Sequence, residues 1–414
     1  MEAIAVTHRG AEELCAKEVK ALLDCPSKTE ASVVLFNTEK LDLCKFTYKS
    51  QSSIYVGALL EKFTFKNSED FEKKSAALKF KLKNWLKKDK TFAVRCENHN
   101  ELLSSQEIEA QFGELIIEAS KKELDFAPKA NLNNPDIPFF VYVIENSCYL
   151  FIDFAGFDLS SRDYKIYTMS NSIKGTLGYC LVDISGLKDG ENLLDLMTNS
   201  GVVAIEAAFF LSKTPHNLFR KKNFAFLRIF SEIETFDTLF EKWDKPKEIS
   251  SKITAADSSF QYVNAAQKNA KIAGINKLID FSRLDLEWLD IKFDKDSVDR
   301  VIAHLPDVSK RKTESEIKKI YQEFFYQLEF VVKSSGSITT LTTKTELLKA
   351  AAEKYKLKLA SEKELWSGQQ KYFALVFKKS EEKVVIIEKE TEEKKLKLNL
   401  QKSNTYILRK NKPD

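Results

Sequence analysis

The run Leu193-Leu194-Asp195-Leu196-Met197-Thr198-Asn199-Ser200-Gly201-Val202-Val203-Ala204-Ile205-Glu206-Ala207-Ala208 constrains the fold of this chain more than any other stretch. It reads as a short buried strand, a tight turn through Asn199-Ser200-Gly201, and an apolar helix. Such a strand–turn–helix aims free backbone N–H groups and the positive helix end at whatever sits above the turn. In a doubly wound α/β sheet that place is the ligand crevice at the carboxyl ends of the strands. The turn holds one glycine. Whether it still cradles a ligand depends on the residues that surround it.

The chain on either side alternates strands and helices. Before the run, strands are expected over 2–8, 33–36 and 53–65, with helices over 11–23 and 41–49. That makes a small α+β unit, taken as 1–66. A second α+β unit, taken as 67–160, has a lysine-rich helix over 70–86, a strand over 91–95 and a helix running to about 121. Ser104 and Glu107 give that last helix a capping-box spacing. Strands over 139–144 and 148–154 close the unit. From 161 to 380 the expected elements are a helix over 173–182, strands over 224–230, 252–257, 278–281, 298–303, 337–342 and 372–378, and helices over 236–243, 260–273, 317–332 and 346–356. Repeated βα units imply a mostly parallel sheet with helices on both faces. Residues 381–414 are highly charged and read as an extension, with a hairpin as one form.

At 414 residues the chain needs two or three cores, and 43% hydrophobic with 30% charged residues is a globular composition. A net charge of +4 permits an anionic partner without demanding one. The six cysteines are scattered with no C-x-x-C pair and the four histidines stand far apart, so free thiols and no metal centre are expected. No apolar run approaches the roughly 18 residues of a membrane span, and the start has no basic leader. A cytoplasmic protein is expected.

Asp195, Asp257 and Asp285 fall at or just beyond the carboxyl ends of expected strands, where carboxylates reach ribose hydroxyls or an adenine amine. The segment from Arg162 to Lys378 resembles the Rossmann-fold methyltransferase domain of RNA methylases that carry a THUMP domain. The family motif D-P-M-C-G-S-G-T-I-x-I-E-A-A reads here Asp195 to Ala208, and R-G-Y-R reads Arg162-Asp163-Tyr164-Lys165. Asp257 and the run from Asn264 to Ala273-Gly274-Ile275 match its acidic strand end and A-x-x-N-A-x-x-A-G helix. His8 to Leu14, Thr91 to Arg95, Leu132 to Asp136 and Asp153 to Gly156 look like the ferredoxin-like and THUMP parts of archaeal-type tRNA guanosine N2-methyltransferases. The implied fold is an α+β N-terminal half, ferredoxin-like plus THUMP, followed by an α/β doubly wound Rossmann-like methyltransferase domain.

The resemblance implies S-adenosylmethionine held by Asp195, Asn199, Ser200, Gly201, Asp257 and Asp285. It implies structured RNA, with tRNA expected, bound through Lys73, Lys79, Lys83, Arg95, Arg162 and Lys165 by a monomer. The family's catalytic N-P-P-Y loop, whose first side chain and next carbonyl accept from the guanine amine while its ring stacks on the base, reads His304-Leu305-Pro306-Asp307. Asn199 stands for the first glycine of the G-S-G turn. Two readings stay open: an active tRNA guanine-N2 methyltransferase, and a catalytically silent scaffold on the same fold that binds RNA or a protein partner.

Overall fold

The computed structural model describes residues 1–79, 81–309 and 312–380; the hairpin expected beyond 381 lies outside them. The N-terminal half is one eight-stranded sheet of β1 (Glu2–Thr7), β2 (Ser27–Glu30), β3 (Val33–Asn37), β4 (Ser53–Thr64), β5 (Thr91–Asn98), β6 (Lys129–Ala130), β7 (Ile137–Ile144) and β8 (Ser147–Asp153), in the order β2-β3-β1-β4-β8-β7-β5-β6. The two expected α+β units therefore share a sheet. The long strand β4 joins them, pairing antiparallel with β1 on one side and β8 on the other. Period-two alternation sets the faces: Ala3 and Ala5 of β1, and Phe139, Val141 and Val143 of β7, pack toward the helices. Ile4, Val6, Phe140 and Tyr142 form a smaller cluster on the opposite face.

Three details differ from the sequence reading here. Strand β2 is polar (Ser-Lys-Thr-Glu) and carries no apolar alternation to reveal it. The lysine-rich helix stops at Ala76 rather than 86. Beyond it, the Leu82 and Lys83 N–H groups donate to the Glu123 carboxylate of the helix Ser105–Leu124 at 2.9 and 3.2 Å, which replaces helical bonding. Ser104 makes no side-chain capping bond at the start of that helix.

The C-terminal half is a seven-stranded sheet of β9 (Leu193–Leu196), β10 (Ile253–Asp257), β11 (Ile279–Arg283), β12 (Val298–His304), β13 (Val332–Thr342), β14 (Leu357–Ser367) and β15 (Gln370–Lys379), in the order β11-β10-β9-β12-β13-β15-β14. The first five are parallel, and β15 runs antiparallel to both β13 and β14. The helices Gly175–Ser185, Val202–Ser212 and Phe260–Ile272 pack on one face with Leu193 and Ile302, while Glu314–Val331 and Thr345–Ala352 cover the other with Leu194 and Val301. The mostly parallel, doubly covered sheet is thus present. Strand β14 was missed because it is an exposed, charged edge strand.

The expected strand over 224–230 is instead a turn of helix, Phe226–Ile229, and it leaves the α/β half altogether. Phe224, Phe226, Phe236, Phe240 and Trp243 join the N-terminal core. The Ala225 and Phe226 N–H groups donate to the carbonyls of Ala155 and Phe154 at 2.9 and 3.0 Å. Tyr48 lies edge-on to Phe224 and Phe240, with centroids 5.7 and 4.9 Å away. An uninterrupted apolar run has no period to separate strand from helix. This excursion of the C-terminal half fills the neighbouring core.

Candidate active site

The turn after β9 is built from left-handed residues: φ is 59° at Met197, 55° at Asn199 and 82° at Gly201. Asn tolerates that region better than most side chains, which explains how the turn survives without its usual first glycine. Gly201 is required for a second reason. A Cβ there would lie 2.7 Å from the Ala266 Cβ on the helix Phe260–Ile272. Gly201→Ala is therefore expected to destabilise the protein by about 2–4 kcal/mol, combining left-handed strain with overpacking. A urea unfolding curve measures it, and a cost under about 0.5 kcal/mol would contradict this account of the turn.

Beneath the turn, Asp195 Oδ2 accepts from Thr198 Oγ1 at 2.6 Å and from the Ala204 N–H at 3.1 Å. Burial, reinforced by nearby Asp257, pushes its carboxyl up to about 7. Asp195 thus ties the turn to the first turn of the helix and does not line the cleft above it. Ser200 is likewise buried, its hydroxyl against that of Ser172. Fully buried Asn269 completes the lock, donating to the carbonyls of Ser200 (2.9 Å) and Tyr167 (3.0 Å) and accepting from the Tyr167 N–H (3.0 Å). The segment 166–174 is thereby strapped over the turn.

Above the turn lies a cleft of about 550 Å³ at the carboxyl ends of the parallel strands. Among the residues singled out from the sequence, Asn199, Asp257, Asp285, His304 and Pro306 line it. Asp257 accepts from the Asn199 N–H at 3.1 Å and the Ser259 N–H at 3.0 Å, and burial raises its carboxyl. Asn199 Oδ1 is buried and has no hydrogen-bond partner among the described residues. The sequence reading missed Asn171, Tyr262, Trp288, Lys312 and Lys319, which line the same cleft. Only an aromatic residue three places after Asp285 hinted at Trp288. A larger cavity of about 870 Å³ lies against the N-terminal sheet, where Glu97, Glu101, Glu145 and Asp158 outnumber Arg9 and Lys174. The end of β14 and the turn to β15 also line it, through Trp366 and Gly368, and it shares no lining residue with the cleft above Asn199.

The loop after β12 divides its residues between two tasks. His304 faces the cleft, with Nδ1 3.1 Å from the Asn171 carbonyl. A carbonyl can only accept, so Nδ1 carries the proton and Nε2 the lone pair. Burial holds the imidazole below its ordinary value, which favours this neutral form. Leu305 is buried in the core. Asp307 does not line the cleft and accepts instead from Thr342 Oγ1 (2.6 Å), the Thr343 N–H (2.9 Å) and Thr343 Oγ1 (2.7 Å). Tyr321 adds a bond of 2.8 Å from its hydroxyl to the Pro306 carbonyl. Asp307 thereby anchors the loop to Thr342 at the end of β13 and to Thr343 after it.

The expected RNA contacts also divide. Lys73, Lys79 and Lys83 are exposed. Arg95 is exposed, and its guanidinium donates to the Leu132 carbonyl. Lys165 is half-buried, its ammonium on the Ile173 carbonyl at 2.6 Å. Arg162 must be corrected: its side chain has no exposure and cannot reach RNA. It pairs with Glu206 at 2.8 Å and donates to the carbonyls of Leu159 and Gln51, while His216 Nε2 lies 2.8 Å away. Glu206 also accepts from Tyr164 and from the Gln51 side chain. The motif is an internal strut between the two halves of the molecule.

A model of the UPF0020 family, described as RMKL-like methyltransferase domain, matches residues 162–371. A THUMP domain model matches residues 67–153. The chain belongs to the THUMP-containing, RMKL-like RNA methyltransferase family. Within it, the tRNA (guanine(6)-N2)-methyltransferase of Methanocaldococcus jannaschii is 30% identical over 284 residues, covering 67% of this chain and 73% of that protein. The enzyme of the same name from Archaeoglobus fulgidus is 22% identical over 359 residues, with 86% of each chain covered. The solved structure of SMU.472 complexed with SAH superposes with a TM-score of 0.77 over 92% of this chain and 99% of that one, at 18% identity, and shares the fold. Among the described residues, no helix is long and apolar enough to cross a membrane.

Proposed function

We propose that this chain is an S-adenosylmethionine-dependent methyltransferase of structured RNA, modifying the exocyclic amine of a guanine in tRNA. In this reading residues 161–380 carry the chemistry, 67–160 with the ferredoxin-like segment before them grip the RNA, and the protein acts as a cytoplasmic monomer. The observation that carries it is the convergence of Asn199, Asp257, Asp285 and His304 on one cleft from four neighbouring parallel strands.

The residues fit the cofactor. The orphaned Asn199 Oδ1 is an acceptor suited to an ammonium group, and Asp257 and Asp285 offer carboxylates to hydroxyl and amine donors. When bound, the cofactor supplies an electrophilic methyl group that passes to the amine nitrogen as the S–CH3 bond breaks, leaving a thioether. The chain's own part is to orient the amine and receive its proton. Neutral His304 accepts a hydrogen bond through Nε2 and takes the proton as the new N–CH3 bond forms. Exposed Lys73, Lys79, Lys83 and Arg95 add salt-dependent phosphate contacts.

One observation favours the silent-scaffold reading. The position that holds the stacking ring in the family is Asp307, whose carboxylate is occupied by Thr342 and Thr343. Calorimetry separates the two. Saturable binding of S-adenosylmethionine at micromolar concentration, lost in Asn199→Trp, supports the enzyme; no heat at millimolar cofactor would favour the scaffold.

A further inference from the structure

Solvent-exposed apolar side chains are ordinary when scattered and informative when gathered. Three segments meet beside the cofactor turn: 163–167, 219–222, and the end of the helix Phe260–Ile272 with the residues to 277. Arg220 binds Asp163 at 2.8 Å, and Asn269 holds both main-chain groups of Tyr167. Phe219 lies against Gly274, where a Cβ would come within 3.0 Å of the ring. Phe219 is 71% exposed, Ile166 65% and Tyr167 41%. The Lys268 ammonium stands 4.9 Å from the Tyr167 ring centroid.

The charge of this face is one-sided. Residues 213–223 contain four Lys and Arg side chains, residues 260–279 contain three, and neither stretch has an Asp or Glu. Arg220 and Lys221 are paired with Asp163 and Asp244, which leaves Lys222, Lys268 and Lys271 for an outside anion. Asp163 is already engaged by Arg220. Exposed rings interleaved with unopposed lysines match a strand of unpaired nucleic acid, in which bases stack on the rings and phosphates meet the ammonium groups. A protein partner would leave the lysines without matching charge unless it were strongly acidic.

We propose that Phe219 and Tyr167 form a stacking platform for unpaired nucleotides of the RNA substrate, flanked by Lys222, Lys268 and Lys271 on its phosphates. This rests on the RNA-methylation reading above and adds to it a second contact surface, built from residues 163–167, 219–222 and 268–274 and distinct from the lysines of the THUMP region in the residues it uses. The strap from Tyr167 to Asn171 then links the platform to the cleft, since the Asn171 carbonyl touches His304.

The test titrates the full-length chain with transcribed tRNA in a filter-binding assay across a salt series. Phe219→Ala and Tyr167→Ala are each expected to weaken binding about tenfold, or about 1.4 kcal/mol. Unfolding midpoint and S-adenosylmethionine affinity should stay unchanged, because both rings are exposed. Lys268→Gln with Lys271→Gln is expected to lower the salt slope by about one to two. Wild-type affinity in the Phe219→Ala/Tyr167→Ala double variant overturns the platform and leaves the methyltransferase reading standing. A wild-type chain that binds no tRNA overturns both. Self-association of the wild-type chain that Phe219→Ala abolishes would mark the face as a protein interface and overturn the platform as well.

Discussion

His304→Ala is expected to lower the rate of methyl transfer to tRNA by about 10²–10³-fold, the usual cost of removing one preorganised polar partner from an active site. Binding of tRNA and of S-adenosylmethionine should change little, because the imidazole acts on the reacting amine. His304→Asn is the informative companion. It restores an oxygen acceptor but not a proton acceptor, and should recover only the part of the activity that comes from orienting the amine. The pH dependence follows from the tautomer. Nδ1 already donates to Asn171 and burial lowers the imidazole below its ordinary value of 6.5, so the neutral form prevails at and above that pH. The rate should be at its plateau near about pH 8 and fall to half only below pH 6.5, as protonation removes the Nε2 lone pair. Single-turnover rates across pH measure this. A rate that rises as pH falls, or an alanine variant as fast as wild type, would remove His304 from the chemistry.

Arg162→Met should be among the most destabilising substitutions in the chain, costing about 3–5 kcal/mol. The loss arises from what remains: Glu206, with no exposure, would keep its charge among apolar neighbours with only Tyr164 and Gln51 as donors. Arg162→Lys preserves charge but cannot span Glu206, Leu159 and Gln51 together, and should fall between. Removing both charges, as Arg162→Met with Glu206→Met, should cost less than the single change. Space is tight as well: a Cβ on Gly175 would lie 2.4 Å from the Arg162 Cγ. Urea unfolding of the three variants measures these differences. An Arg162→Met variant as stable as wild type would show that the strut is not what joins the two halves.

The parts of the fold that were legible in the sequence share a physical cause. The βα alternation of the C-terminal half, its parallel sheet and the turn at Asn199-Ser200-Gly201 all depend on local periodicity and turn chemistry, which act over a few residues. Elements whose character is set by distant partners were not legible. Strand β2 is polar and β14 is a charged edge. The segment 224–230 is apolar at nearly every position because it fills the neighbouring core. The site divides along the same line. Asp257, Asp285, Asn199 and His304 reach the cleft because strand ends in such a sheet must. The roles of Asp195, Asp307 and Arg162 turn on which of two faces a side chain takes. Asp195 and Asp307 point into the loops they brace, and Arg162 points into the interior. Spacing alone carries no information about that choice.

The central claim is that this cleft methylates a guanine amine in tRNA. Its most direct test incubates the full-length chain with unmodified transcribed tRNA and S-adenosylmethionine carrying an isotopically labelled methyl group, followed by mass spectrometry of the digested nucleosides. The account predicts label in N2-methylguanosine, formed catalytically by the wild-type chain and reduced about 10²–10³-fold by His304→Ala. Labelled N2-methylguanosine at equal rates in both proteins would contradict the assigned chemistry, and no labelled nucleoside from a chain that binds both tRNA and cofactor would contradict the claim itself.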